Sequence, residues 1–333
     1  MKNEQATSNL LNDFEAETGD NNRMKKNVVL IIILLSFILG CATNIEQPSF
    51  NCTPIDSPYQ FKQINMFDIN VGWGISTENE ILFTNSGMEN FISIKNIEAT
   101  NKTNDFISAA FIDEQTAYVA YFSGDNTHLI VEYTNDGGNN WNQTFVNSNN
   151  FADAGSVYIS FSDAENGYLL YCSTPAAGMM TKLLFYTTDA GKTYSLANDL
   201  TNEITGYPTG ISFSSIENGY IAVTYHGEDN YLYLTEDCAK TWESVKSLLK
   251  NNDIRYIDGY APIFYGEDMQ KGILVLKLVG DNISYNLFVT SDGGYSWKPE
   301  GNIPSESVMS YFAIDENHLF YIDELGNLFE LSQ

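Results

Sequence analysis

A turn motif that recurs about every 50 residues constrains the fold of this chain more than any other feature. Its best copies are Thr134-Asn135-Asp136-Gly137-Gly138-Asn139-Asn140-Trp141 and Thr290-Ser291-Asp292-Gly293-Gly294-Tyr295-Ser296-Trp297. Weaker copies begin at Thr84, Thr187 and Thr235, so the intervals between threonines are 50, 53, 48 and 55 residues. Self-similarity at this period indicates repeated supersecondary units that stack on their neighbours.

Each copy of the motif predicts a β-hairpin. An apolar, aromatic run typical of a strand precedes the turn, for example Leu183-Leu184-Phe185-Tyr186. Aspartate bonds nearby backbone N–H groups and glycine accepts positive φ, so the Asp-Gly centre is turn chemistry. The aromatic residue three positions past the glycine begins the next strand and can pack into a sheet interface. We expect structural roles for Thr134, Asp136, Gly138, Trp141, Thr187, Asp189, Gly191, Tyr194, Thr235, Asp237, Trp242, Thr290, Asp292, Gly294 and Trp297.

A second signature lies upstream of each turn motif and predicts another hairpin. Phe161 to Tyr168 and Phe213 to Tyr220 are close copies, and looser copies begin at Phe67, Phe111, Phe264 and Phe312. Two hairpins in about 50 residues make a four-stranded antiparallel unit. Such a unit cannot bury both of its faces alone, and radial stacking of several units gives a β-propeller.

The two signatures differ in number, which predicts how the ring closes. The Phe signature occurs six times and the turn motif five times, so the last unit has three strands, near 308–314, 317–322 and 327–332. We expect the N-terminal segment Tyr59 to Ile64 to supply the missing outer strand and so remove a free sheet edge. The prediction is an all-β fold: one β-propeller of six four-stranded blades, with seven blades as the alternative.

The turn motif resembles the Asp-box, or BNR, repeat Ser/Thr-x-Asp-x-Gly-x-x-Trp. This repeat occurs in sialidases, in certain endoglucanases, in sortilin-type receptors and in photosystem II assembly factors. The resemblance implies that the box is a structural turn at the blade periphery, away from the central pore, and a calcium site there is the alternative. The resemblance is specific for the fold and does not determine a function.

The first forty residues predict export. Met24-Lys25-Lys26-Asn27 is a short basic segment, and Val28 to Leu39 follows as twelve nearly continuous apolar residues. Twelve residues span about 18 Å as a helix, too short for a hydrocarbon core of about 30 Å, so the segment is typical of an export signal. The ending Phe37-Ile38-Leu39-Gly40-Cys41 resembles the lipobox of bacterial lipoproteins, in which the cysteine becomes the first mature residue and carries the lipid. An ordinary signal peptide with an incidental cysteine is the alternative.

These features predict the organisation of the whole chain. Residues 1–23 hold five acids and are expected to precede the true start at Met24; a cytoplasmic tail on an uncleaved anchor is the alternative. Residues 24–40 form the signal peptide, 41–56 the lipidated Cys41 and a tether, and 57–333 the propeller. Ala42 is not aspartate, so the lipoprotein resemblance implies sorting to the outer membrane of a bacterial cell envelope.

Charge excludes several functions. The mature chain, 41–333, carries 11 Lys and one Arg, Arg255, against 38 acids, whereas nucleic-acid binding needs a basic face. Sialidases, by resemblance, hold the substrate carboxylate with three arginines, so a single arginine excludes that activity. A hydrolase acting on a neutral polysaccharide needs two carboxylates roughly 5–10 Å apart and stays open as an alternative.

Other signatures of catalysis or cofactor binding are missing from the sequence. It has no nucleophile elbow, P-loop or dinucleotide fingerprint. The histidines stand far apart, without metal-ligand spacing: His128, His226 and His318. The cysteines besides Cys41 are irregularly spaced, which favours independent thiols and leaves a Cys172–Cys238 bridge open: Cys52, Cys172 and Cys238. We therefore predict no catalytic residue, no metal and no cofactor.

The longest loops predict the binding surface. In a propeller, the loops between strands two and three and the connections between blades share one face with the pore mouth. This face is expected to present Met179, Met180, His226, Arg255, Tyr256 and Tyr260, a set of arginine, aromatic and methionine side chains that suits protein contacts. We expect a lipid-anchored, non-catalytic scaffold with a protein partner in the envelope. The alternative is a surface lipoprotein that binds or hydrolyses a polysaccharide.

Overall fold

The computed structural model describes residues 49–97, 106–123, 128–147, 151, 153–224, 231–245, 248 and 256–332. The chain divides into two compact units, Met1–Glu46 and Gln47–Gln333, and all described residues belong to the second. These residues form strands and turns and contain no helix. Accordingly, none of them belongs to a helix that could cross a membrane. The predicted signal peptide and Cys41 lie outside the described residues.

The strands form antiparallel groups of four, numbered I to VI in the order of their first strands. Strand β1 (Asn51–Ile55) precedes group I, which comprises β2 (Phe61–Met66), β3 (Val71–Ser76), β4 (Glu80–Asn85) and β5 (Ile92–Asn96). Group II comprises β6 (Ser108–Phe111), β7 (Ala117–Phe122), β8 (Leu129–Thr134) and β9 (Asn142–Val146). Group III comprises β10 (Ser156–Phe161), β11 (Gly167–Cys172), β12 (Lys182–Thr187) and β13 (Ser195–Asp199).

The next two groups are joined in one nine-stranded sheet. Group IV comprises β14 (Tyr207–Phe213), β15 (Gly219–Thr224), β16 (Leu232–Thr235) and β17 (Glu243–Ser244). The connecting strand β18 (Tyr256–Gly259) pairs with both groups. Group V comprises β19 (Ile263–Tyr265), β20 (Lys271–Val279), β21 (Ile283–Thr290) and β22 (Lys298–Ile303). The segment before Tyr260, predicted as a connecting loop, forms β18, because residues 256–259 pair with 276–279 at the end of the long strand β20.

Group VI takes its outer strand from the N-terminal side of the chain. It comprises β23 (Ser310–Asp315), β24 (His318–Ile322), β25 (Leu328–Ser332) and β1. The three C-terminal strands match the prediction within two residues. The predicted partner, Tyr59 to Ile64, is wrong: Phe61–Met66 is the first strand of group I, and Asn51–Ile55 pairs with β25 instead. The tether predicted over 41–56 is therefore wrong at residues 51–55.

A recurring aromatic contact holds successive groups together. An aromatic residue near the start of a second strand stacks on the first-strand phenylalanine of the next group. The ring centroids are 5.8 Å apart for Trp73–Phe111, 3.7 Å for Tyr118–Phe161, 3.9 Å for Tyr168–Phe213 and 5.7 Å for Tyr220–Phe264. The Trp73 indole N–H also donates to the Asp113 carbonyl at 3.0 Å, so each contact combines apolar burial with a satisfied polar atom.

The hydrophobic core is divided among the faces between neighbouring groups, because each sheet buries both of its faces. Five clusters lie between successive groups from I to VI. A sixth cluster joins group VI to group I and includes Phe312, Phe320, Phe61 and Leu82. This arrangement is propeller-like. The first strand of every group lies on the inside, and the turns lie at two opposite ends of the sheets.

Candidate functional site

The two ends of the molecule are built differently. In every group, the turn between the first two strands lies at one end, here called the turn end. The boxes, which join the third and fourth strands of groups I to V, lie at the same end. The loops between second and third strands and the connections between groups lie at the opposite end, here called the loop end. Functional surfaces at the two ends therefore need separate descriptions.

Four boxes share one set of hydrogen bonds at the turn end. The threonine hydroxyl donates to the aspartate, at 2.9 Å for Thr134–Asp136 and 2.7 Å for Thr290–Asp292, and accepts the amide two residues past the aspartate. The aspartate in turn accepts the amide four residues ahead, at 2.9 Å in all four boxes. These bonds occupy the carboxylate oxygens within the turn itself. The weak copy at Thr84 has Ser86 in place of the aspartate and lacks this bond.

The same bonds keep the box aspartates ionised. Hydrogen bonds from the Thr241 amide and hydroxyl lower the pKa of Asp237 from 3.8 to about 2. Bonds from Asn140 lower the pKa of Asp136, and bonds from Ser296 lower the pKa of Asp292. Among the described residues, no group of three or more histidines, cysteines, aspartates and glutamates is arranged to hold a metal ion.

Each box also bonds to the first turn of its own group. The amide after the box aspartate donates to a carbonyl there: Gly137 to Gln115 at 3.0 Å, and Gly293 to Gln270 at 2.9 Å. In group IV the donor is Cys238, and both Cys238 and Ala239 take a positive φ of 61°. That conformation favours glycine, so group IV keeps the turn with two strained residues.

A cavity of about 320 Å³ runs between the first strands of all six groups and forms a central channel. Its lining contains no acidic, basic or histidine side chain. The polar lining residues are amides, hydroxyls and phenols, for example Gln63, Ser108, Thr209 and Tyr260. The channel can therefore hydrogen-bond a neutral ligand, and its lining offers no carboxylate, imidazole or amine.

Most of these polar groups already bond the next group of strands. The Gln63 amide donates to the Ala109 carbonyl at 2.7 Å and accepts the Ala109 N–H at 3.1 Å. Thr209 donates to the Gly259 carbonyl at 2.6 Å, and Tyr260 donates to the Val308 carbonyl at 2.6 Å. These bonds link neighbouring groups of strands. The polar channel wall therefore has a structural role, whether or not it also binds a ligand.

The predicted loop-face residues separate in the structure. Met179 is 64% exposed in the loop between β11 and β12. Met180 is only 7% exposed and packs with Tyr168 and Ile204, so its predicted place on the binding face is wrong. Tyr260 is half-buried against the channel, and burial raises the pKa of its phenol above the ordinary value. His226 and Arg255 lie outside the described residues, and of Tyr256 only the backbone, in β18, is described.

The loop end carries an extension that the sequence did not predict. Strands β20 and β21 run past the neighbouring hairpins, with β18 along one edge. There Asp258 accepts a hydrogen bond from Thr224 and lies 3.7 Å from the Lys277 ammonium. Ile283, at the tip, is 53% exposed. The unusual lengths of the apolar runs at 271–279 and 283–290 were the available signal.

The cysteines in the described part of the chain are free thiols. Cys172 is fully buried, whereas Cys52 and Cys238 are half-buried. Burial raises the pKa of the Cys172 thiol well above its ordinary value, which makes it unreactive. The Cys172–Cys238 bridge that the sequence left open is not formed.

Sequence comparison connects this geometry to one family of propellers. The family model of the photosystem II assembly factor YCF48 matches residues 93–252, just under half of the chain, including the boxes at Thr134, Thr187 and Thr235. No curated protein matches the sequence. The box pattern, this match and the arrangement of sheets together show that the chain carries a β-propeller of the BNR type.

Solved structures agree on the fold. YCF48 bound to a D1 peptide is 13% identical, with a TM-score of 0.51 over 88% of this chain and 100% of that one. The Niastella koreensis GH74 enzyme is also 13% identical, with a TM-score of 0.54 over 82% of this chain and 42% of that one. An oligogalacturonate lyase from Vibrio parahaemolyticus is 8% identical, with a TM-score of 0.50 over 86% of each chain. At these identities the likeness extends to the fold alone.

Proposed function

We propose that this protein is a non-catalytic, lipid-anchored scaffold of the bacterial cell envelope that binds a protein partner through its loop end. The observation that carries the proposal is a set of exposed apolar side chains on loops and at a hairpin tip there. Four large apolar side chains at this end are at least half exposed: Phe106, Met179, Ile283 and Leu325. Exposed apolar side chains rimmed by polar residues are typical of protein interaction sites. At the turn end, Ile69, Ile92 and Tyr295 are exposed as well, but the boxes there bond to the first turns of their own groups.

Two further observations support a scaffold over an enzyme. The channel lining has no carboxylate, so a pair of carboxylates for glycoside hydrolysis is missing from the place where a propeller most readily encloses a ligand. The matching family model is that of an assembly factor, and one solved relative of similar fold is bound to a peptide. A photosystem partner does not follow for this chain.

The proposal includes a closed ring of six blades. The nine-stranded sheet supports this number, since β18 joins two otherwise ordinary groups of four. Pairing of β1 with β25, and the core cluster that joins group VI to group I, support closure. A closed ring would hold the loop end as a rigid platform for a partner.

The anchor is tested by replacing its cysteine. Cys41→Ser should abolish incorporation of a labelled fatty acid and release the protein from the membrane fraction. Cys52→Ser, which changes a half-buried cysteine of β1, is the matched control and should leave both unchanged. Labelling of the Cys41→Ser protein would contradict the anchor while leaving the binding proposal intact.

The partner is tested by site-specific photo-crosslinking in native envelopes. A photoreactive amino acid at Met179 or Ile283, at the loop end, should give the same crosslinked protein, identified by mass spectrometry. The same amino acid at Tyr295, which is 70% exposed at the turn end, is the control. A partner crosslinked only from Tyr295, or none from the loop end, would contradict the proposal.

A polysaccharide ligand is the second candidate. The observation in its favour is the neutral channel wall, because hydroxyl and amide groups such as those of Thr209 and Asn65 can bond sugar hydroxyls. Calorimetric titration with neutral glucans and galactans distinguishes the two functions. Saturable binding that is lost in Asn65→Leu, without crosslinking at the loop end, would favour this candidate.

A further inference from the structure

A second large cavity lies at the turn end, between groups V and VI. Its volume is about 520 Å³. Apolar side chains from both groups form its floor, including Ile273, Val289, Leu319 and Leu331. Charged side chains lie at its rim: Lys271, Glu300 and Glu316. This cavity is separate from the channel and from the loop end.

The cavity lies where other groups place a box. In groups II to V, a box aromatic immediately precedes the outer strand and packs at the interface with the preceding group, as Trp297 does with Tyr220. In group VI the outer strand is β1, and Phe50 precedes it by one residue and is buried. Phe50 therefore takes the aromatic position. Because β1 does not follow β25 along the chain, no turn joins these two strands, and the rest of the box position forms the cavity.

The cavity contains a backbone carbonyl whose equivalents in other groups accept a hydrogen bond from a box amide. In group II the carbonyl two residues past Asp113 accepts a box amide, and in group V the carbonyl two residues past Asp268 does the same. The equivalent carbonyl in group VI belongs to Asn317, two residues past Asp315. Within the described part of the chain, no box amide reaches it. Asn317 is exposed and lines the cavity.

The floor of the cavity also differs from the box sites. An ideal Cβ at Gly138 would lie 3.4 Å from the Trp73 ring, and one at Gly191 would lie 3.0 Å from the Tyr118 ring, so a box glycine faces an aromatic ring. The residue at the equivalent position in group V is Ile273, which is smaller. An occupant can therefore place an apolar side chain where a box has glycine. Lys271 and Glu316 form an ion pair at 3.0 Å on the rim, which also carries Glu300. The rim is therefore net negative within a chain of net charge −27, which favours a basic occupant.

We propose that this cavity is a docking site for a surface turn of a partner protein. The turn donates a backbone N–H to the Asn317 carbonyl, inserts an apolar side chain above Ile273 and carries lysine or arginine on its flanks. The site lies at the end opposite the loop surface of the proposed function and does not depend on it. The protein would thus have two independent contact surfaces.

The test uses the full chain and a cyclic hairpin peptide containing Lys-Thr-Asn-Asp-Gly-Leu-Asn-Lys, with binding measured by calorimetry. A control peptide replaces the leucine by glycine and should bind at least about tenfold more weakly, because the apolar contact is lost. Ile273→Trp fills the cavity as Trp73 fills the equivalent position in group I, and should weaken binding by a similar factor. Thermal unfolding reports whether this variant folds.

A second variant keeps the test independent of that packing change. Glu316→Lys breaks the exposed ion pair with Lys271 and makes the rim more positive. It should weaken binding of the basic peptide several-fold and make the remaining binding less sensitive to salt. Ile283→Ala, at the loop end, should leave peptide binding unchanged. Failure of the peptide to bind the full chain overturns the proposal, and this holds whatever fills the cavity instead. Equal binding to wild type, Ile273→Trp and Glu316→Lys also overturns it.

Discussion

At the scale of single residues, small side chains beside aromatic ones determine how closely neighbouring groups approach. Gly167 and Gly219 each begin a second strand, directly opposite the phenylalanine of the first strand. A Cβ at Gly219 would lie 2.3 Å from the Phe213 ring. That ring is held on its other side by Tyr168, at 3.9 Å between centroids. The phenylalanine therefore has no room to move away.

Gly219→Ala should consequently destabilise the protein. The added methyl group must displace Phe213 or the strand, at a cost of about 1–3 kcal/mol in the free energy of unfolding. Chemical denaturation of the intact protein measures the loss in the free energy of unfolding. Gly167→Ala should behave in the same way, because a Cβ added there would lie 2.6 Å from the Phe161 ring. An unchanged unfolding midpoint in both variants would contradict the packing described for these interfaces.

The box aspartates should give a pH dependence to stability. The folded pKa of Asp237 lies at about 2, below its ordinary value of 3.8. A carboxylate with a lowered folded pKa contributes stability above the unfolded value, and this contribution is lost as the pH falls from about 4 towards 2. Asp237→Asn should remove this part of the dependence, whereas Glu243→Gln, an exposed change in the same group, is the control. Parallel curves of unfolding midpoint against pH for wild type and Asp237→Asn would contradict a contribution of Asp237 to the pH dependence of stability.

At the scale of the element, the box is a hydrogen-bonded unit whose centre is the threonine. Thr187 is 2% exposed; its hydroxyl donates to Asp189 at 2.8 Å and accepts the Gly191 amide at 3.1 Å. The turn also bonds the first turn of its group through the Ala190 amide, at 3.0 Å from the Glu165 carbonyl. The threonine side chain thus holds the box turn, and the backbone of the box bonds the first turn of the group.

Thr187→Val should therefore lower the free energy of unfolding by more than its small change in side-chain volume suggests. The valine keeps the shape but leaves the buried Gly191 N–H without its acceptor, at a cost of about 1–3 kcal/mol. Thr193→Val is the matched control, because its hydroxyl bonds Asp189 from an exposed position. Denaturant titration of both variants measures the difference. An equal loss for the two threonines would show that burial of the first one does not matter.

At the scale of the whole molecule, we expect stability to depend on the N-terminal segment that completes group VI. Strand β1 pairs with β25 from Asn51–Ser332 to Ile55–Leu328. Phe50, directly before it, is 5% exposed and belongs to the cluster between groups V and VI. A contact of this sequence separation resists the opening of group VI, so its loss should also weaken the interface between groups V and VI.

Phe50→Ala should lower the free energy of unfolding by about 3–5 kcal/mol, since it removes a buried aromatic side chain. Phe145→Ala, in the outer strand β9 and 50% exposed, should cost much less. Hydrogen exchange locates the effect: β25 should lose protection first. Uniform loss of protection, or an equal cost for both substitutions, would contradict a closing role for Phe50.

The sequence alone determined the repeating element, because turns depend on local chemistry. The glycine, aspartate and threonine positions of the boxes identify hairpins without any tertiary contact, and apolar runs between them identify strands. The sequence thus predicted the three C-terminal strands of group VI within two residues. The BNR-type propeller followed from the period of the repeat.

Only the tertiary structure decided which segments meet. Both Phe61–Met66 and Asn51–Ile55 can form strands, and only the pairing with β25 distinguishes them. The available sequence signal was an aromatic residue directly before the strand, since Phe50 precedes β1 as Trp141 precedes β9. Met180 shows the same limit, because neighbouring methionines in one loop have opposite exposure. Local chemistry specifies turns and strands, whereas the partner of an outer strand and the burial of a loop residue depend on contacts far apart in sequence.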